Sequence, residues 1–175
     1  MMPTCGRWRQ PGASRSSAGG DTTVTEGSEP PAGTDPLGPD ALYFWLGRWS
    51  LSWSGDGRGT NTVRRILADR VIEESFEWRD ADSVLLGRSV SVRDEADGRW
   101  RQTWVDSTGT YLDFVGVDVD GRIAFERETM VGGVRVKQRM VWLDVEPDAL
   151  RWQWQRSTDD GATWDVAWEI DYRRA

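Results

Sequence analysis

From residue 48 to residue 173, apolar and polar side chains alternate with a period of two, the signature of strands that bury one face. Clusters of Gly, Asp, Ser and Pro interrupt the alternation about every 10–14 residues. The pattern predicts ten strands near 48–54, 60–67, 71–78, 84–93, 99–106, 110–119, 122–130, 134–144, 149–157 and 163–173. Asp120-Gly121 sits between two alternating runs and predicts a two-residue hairpin. Every connection is short, so neighbouring strands pair antiparallel in up-and-down order. Ten such strands without covering helices leave two long edges unless they close on themselves. The prediction is an all-β, ten-stranded antiparallel up-and-down barrel. Before the first strand, Asp40–Leu46 is apolar behind a capping candidate and ends at Gly47, which predicts one short helical turn.

In a barrel, alternate residues point inward. Taking the more apolar parity of each strand as inward gives Trp49-Leu51-Trp53, Val63-Arg65-Leu67, Ile72-Glu74-Phe76-Trp78 and Val84-Leu86-Arg88-Val90-Val92. It continues with Trp100-Gln102-Trp104, Tyr111-Asp113-Val115-Val117, Ile123-Phe125-Arg127 and Val134-Val136-Gln138-Met140-Trp142. The last two strands give Leu150-Trp152-Trp154-Arg156 and Trp164-Val166-Trp168-Ile170-Tyr172. Nearly every stripe carries one polar residue. Four arginines, Arg65, Arg88, Arg127 and Arg156, then face two acids, Glu74 and Asp113. Buried charge is costly unless paired. Two arginines are left for water, the barrel mouth or an anionic ligand. An internal salt-bridge and water network, or some parities reversed by β-bulges, remains open as the alternative.

Residues 1–39 differ from the rest. Six of the seven prolines lie here, with many Gly, Ser and Thr and few large apolar residues. Such a segment cannot bury enough surface to offset its ordering entropy, so a disordered tail is predicted, with the barrel domain over 40–175. Arg7, Arg9 and Arg15 come without an apolar run, which argues against a signal peptide or a lipid anchor at Cys5. No stretch is apolar enough to span a membrane as a helix. A cytoplasmic protein is the expectation.

Composition narrows the chemistry. The chain has 175 residues with 12 Trp, one Cys and no His. Absence of His excludes His-based triads, zinc-protease motifs and His-ligated haem, and one Cys cannot build a thiolate metal site. No metal or cofactor is expected. The net charge of −7 argues against a nucleic-acid binder that neutralises phosphates. Lys137 is the sole lysine among 22 basic residues. Arginine grips carboxylates bidentately, which lysine does poorly. Ser157-Thr158-Asp159-Asp160-Gly161-Ala162-Thr163-Trp164 matches S-x-D-x-G-x-T-W, the Asp-box turn of sialidase-like propellers. It occurs once and without a repeat, so it reads as a turn that joins the last two strands.

Phe44-Trp45-Leu46-Gly47-Arg48-Trp49 is a helical turn followed by G-x-W at the first strand. This resembles the calycin superfamily, in which that Trp closes the barrel base. Together with Gly59-Thr60-Asn61-Thr62-Val63-Arg64-Arg65, Arg101-Gln102-Thr103-Trp104-Val105-Asp106 and Trp168-Glu169-Ile170-Asp171-Tyr172, it resembles an uncharacterised bacterial lipocalin-like barrel family over about residues 42–174. The strand count is nearer the fatty-acid-binding proteins than the eight-stranded lipocalins. The resemblance to fatty-acid-binding proteins implies a ligand carboxylate held by an Arg-x-Tyr pair and another Arg. Only Tyr172 matches that motif by position, and five residues join the first two strands where those proteins have a helical lid.

Three functions follow. The first is non-catalytic binding, inside the barrel, of a small, largely apolar and anionic molecule. Arg65, Arg88, Gln102, Arg127, Gln138, Arg156 and Tyr172 would supply the polar contacts, and Trp104, Trp154 and Trp168 the walls. The second is a cofactor-free isomerase or cyclase using Glu74 and Asp113 as acid and base and Tyr111 as proton donor. The third is a filled barrel acting as a structural or interaction protein. None calls for nucleic acid or membrane insertion.

Overall fold

The computed structural model describes residues 37–79 and 83–175. After a short 3-10 turn (η1, Tyr43–Trp45), the chain forms ten strands: β1 Gly47–Trp53, β2 Gly57–Ile66, β3 Val71–Arg79, β4 Val84–Arg93 and β5 Trp100–Asp106, then β6 Tyr111–Val119, β7 Arg122–Val131, β8 Val134–Glu146, β9 Ala149–Ser157 and β10 Asp165–Arg174. Each pairs antiparallel with its sequence neighbour, and β10 returns to β1, so the sheet closes as an up-and-down barrel. Asp120 and Gly121, both at positive φ, make the two-residue turn between β6 and β7, the primed hairpin geometry that suits strand twist.

One end of the barrel is plugged by the segment ahead of β1. Leu42 and Trp45 are buried, and Leu37, Ala41 and Phe44 pack against the same core. Trp45 and Phe44 meet the Trp142 ring edge-on at 5.1 and 5.9 Å. The Trp49 indole donates to the Trp45 carbonyl, and the Trp100 indole donates to the Gly38 carbonyl. Each buried ring contributes about 2–3 kcal/mol. Leu37 and Gly38, read from sequence as tail, therefore belong to the barrel. The rest of the predicted tail, residues 1–36, lies outside the described residues. The helical turn is shorter than the alternation implied, and the residue ahead of it, Leu42, makes no side-chain cap.

The inward parity holds on β1, β3, β5, β7, β8 and β9 and reverses on β4 and β6. On β4 the inward residues are Gly87, Ser89 and Ser91, while Val84, Leu86, Val90 and Val92 are exposed on the outer face together with Arg88. Neighbouring strands cause this reversal. Ser89 donates to Glu74, Ser91 accepts from Gln102, and the Trp104 ring occupies the space beside Gly87. Larger side chains at those positions would leave two buried polar groups unpaired. On β6, Leu112, Phe114 and Gly116 point inward, and Phe114 meets Trp154 edge-on. Tyr111 and Asp113 are consequently outside. On β10 a register shift between Val166 and Trp168 turns Val166 outward, while Trp164 lies under the Arg139 guanidinium at 3.9 Å. Trp168, Ile170 and Tyr172 keep the expected inward direction.

Candidate functional site

Two polar features lie on the inner wall, and the strands present them at different depths. In the half away from the plug, register aligns Arg127 on β7 with Gln138 on β8, and Gln138 with Arg156 on β9. Arg127 donates to the Gln138 side-chain oxygen at 2.6 Å. Its Nε is buried and, among the described residues, has no hydrogen-bond partner, and none of their carboxylates forms an ion pair with the guanidinium. This is an arginine held in place with donors to spare.

Aromatic rings occupy other strands of the inner wall. Trp168 meets Trp53, Phe76 and Trp152 edge-on at 5.6–6.1 Å, and Phe76 also meets Trp104 at 5.9 Å. Trp53, Trp78, Trp104, Trp152 and Trp168 all point inward yet keep part of their surface open. Trp53 and Trp104 lie against the wall, in the space that side chains at Gly57 and Gly87 would need.

Nearer the plug is a buried cluster. Asn61 on β2 donates from Nδ2 to Glu74 Oε1 at 2.7 Å and to the Tyr172 hydroxyl at 3.3 Å. Ser89 donates to Glu74 Oε2 at 2.7 Å. Gln102 donates to Ser91 alongside. Burial pushes the Glu74 carboxyl up to about 7, against the pull of the Ser89 and Asn61 hydrogen bonds. Burial, with the nearby Glu74 carboxylate, also pushes the Tyr172 phenol up.

No protein-family model matches the sequence, and no curated protein matches it. Among solved structures the chain is similar to the S-type phycobiliprotein lyase of Guillardia theta. The TM-score is 0.46 at 16% identity, over 78% of this chain and 91% of that one. What the interior can bind follows from this chain's own residues.

The expected site residues divide into groups. Arg127, Gln138, Arg156, Trp104, Trp154 and Trp168 share the inner wall away from the plug. Gln102 and Tyr172 face inward but belong to the buried cluster, and Tyr172 bonds to Asn61, not to an arginine. Arg65 has the inward parity but sits at the plugged end, over the Tyr43 ring and 3.8 Å from Asp69. Arg88 is on the outer face, bonded to the carbonyl of Gly87. Of the catalytic candidates, Glu74 is inside and buried, Asp113 is exposed outside, and Tyr111 is 64% exposed. Sequence reasoning missed Asn61 and Ser89. Asn61 shares the parity of Val63 two residues on, so its position was readable. Ser89 was hidden behind the more apolar opposite parity of β4.

Proposed function

We propose that the barrel binds, without transforming it, a small, largely apolar molecule that carries a carboxylate. The observation behind this reading is Arg127, which faces inward and, among the described residues, has a buried, unpartnered Nε and no carboxylate partner. A ligand carboxylate would complete its hydrogen bonding, and charge-assisted bonds of this kind are about twice as strong as neutral ones. Gln138 fixes the guanidinium and Arg156 extends the row. Trp104, Trp154 and Trp168 supply apolar contact.

The experiment is a titration of the full chain with fatty acids and aromatic acids while Trp emission is followed. Saturable quenching at micromolar concentration is expected, and Arg127→Met should weaken it at least about tenfold. No response to any acid would overturn the reading and favour a filled barrel used as an interaction surface. The isomerase or cyclase reading retains Glu74 alone, since Asp113 and Tyr111 face away from the lumen.

A further inference from the structure

The cluster around Glu74 has an imbalance of donors and acceptors. Both hydrogen bonds of the Asn61 amide nitrogen and the Ser89 hydroxyl are spent inside it, on Glu74 and Tyr172. Asn61 Oδ1, on a side chain only 1% exposed, has no partner at all. Each Glu74 oxygen accepts one bond and has capacity for another. Among the described residues, no arginine or lysine pairs with Glu74. The protein's own supply of protons at this spot is the Tyr172 hydroxyl. A buried acceptor without a donor is costly, so the cluster is suited to receive a donor. The wall beside it is thin: Gly87, Ser89 and Ser91 are successive inward positions on β4, none larger than a hydroxymethyl group.

We infer that Asn61 Oδ1 and Glu74 form a second recognition point in the lumen, which receives a hydrogen-bond donor, a hydroxyl or N–H, on the inner end of the ligand. The inference rests on the reading that the barrel takes a ligand and adds polarity to it. The molecule would be apolar along its body, anionic where it meets Arg127 and donating where it meets Asn61 and Glu74. Protonation of Glu74 near neutral pH fits the same imbalance, because a proton on the carboxyl gives the cluster a further donor.

The test compares three sets of probes on the full chain by calorimetry: saturated fatty acids from octanoic to hexadecanoic, the ω-hydroxy acids of the same lengths, and the corresponding primary alcohols. At the best-fitting length, the ω-hydroxy acid should bind at least about tenfold more tightly than the plain acid. In Glu74→Gln that advantage should shrink severalfold. The wild-type series decides the matter even if the variant fails to fold. If plain acids bind and the hydroxyl adds nothing at any length, the donor site is overturned and the carboxylate reading stands. If alcohols bind and acids do not, the carboxylate reading fails and the donor site stands. If neither hydroxy acids nor alcohols bind, the donor site is overturned.

Discussion

Trp104 and Gly87 occupy one space between them: a Cβ on Gly87 would lie 2.1 Å from Trp104 Cη2 and 2.3 Å from Cζ2. The indole rests where the neighbouring strand has no side chain. The glycine is there for close approach and not for backbone freedom, since only a hydrogen fits between the strand and the ring.

Gly87→Ala should therefore push the Trp104 ring into the lumen. Overpacking of this kind costs about 1–3 kcal/mol, and the displaced ring would take up interior volume. Urea unfolding should show the loss of stability, and any acid that binds the wild type should bind the variant more weakly. Unchanged stability together with unchanged affinity would mean that the ring has another place to go.

Glu74 makes stability depend on pH in an unusual direction. Its carboxyl titrates near 7 in the fold and at an ordinary 4.5 when exposed. Between those values the folded chain holds the proton more tightly than the unfolded one, so this residue's contribution falls as pH rises from about 4.5 through 7. The whole span amounts to about 3 kcal/mol. Glu74→Gln removes the titration, so its stability relative to wild type should rise steadily between pH 5 and pH 8 in paired urea melts. A constant difference across that range would contradict the raised carboxyl.

The Asp-box turn has the opposite sign. Asp159 accepts hydrogen bonds from the Thr163 amide at 2.9 Å and from the Thr163 and Ser157 hydroxyls at 2.6 Å. These bonds hold its carboxyl down at about 2. Its stabilising effect is thus present above an ordinary 3.8 and lost as pH falls through about 2. Asp159→Ala should lower Tm at neutral pH, and the gap to wild type should close in thermal melts as acid is added.

Strand existence, order and closure were legible because alternation and short turns leave a chain of this length few other solutions. Inward direction was legible where one face is plainly apolar, as for Trp49-Leu51-Trp53 and Leu150-Trp152-Trp154. It failed on β4, where valines outside and serines inside invert the usual preference. The decision there belongs to Glu74, Gln102 and Trp104 on the flanking strands, and no property of β4 itself reveals their needs. It failed for Trp164 and Val166 because a single register shift reverses every side chain beyond it. The arginine row survived in part, since Arg127 and Arg156 lie on strands of the first kind. Arg88 lay on the second kind, and Arg65 sits too near a strand end to reach the lumen.

The seam between β1 and β10 also dictates when the protein can become whole. Arg174 stacks on Trp49 at 3.8 Å and bonds to the Leu46 carbonyl, a residue 128 positions earlier in the chain. Loop-closure entropy must be met before that contact returns anything. Until the final strand docks, the sheet is an open ribbon with two unpaired edges, one of them β1. Up-and-down neighbours can zip locally and early, but the seam must form late, and topologies of this sort fold slowly. On a ribosome the edge of β1 waits for nearly the whole of synthesis, exposed to pairing with another nascent chain. The last ten residues of the barrel thus carry out its folding commitment.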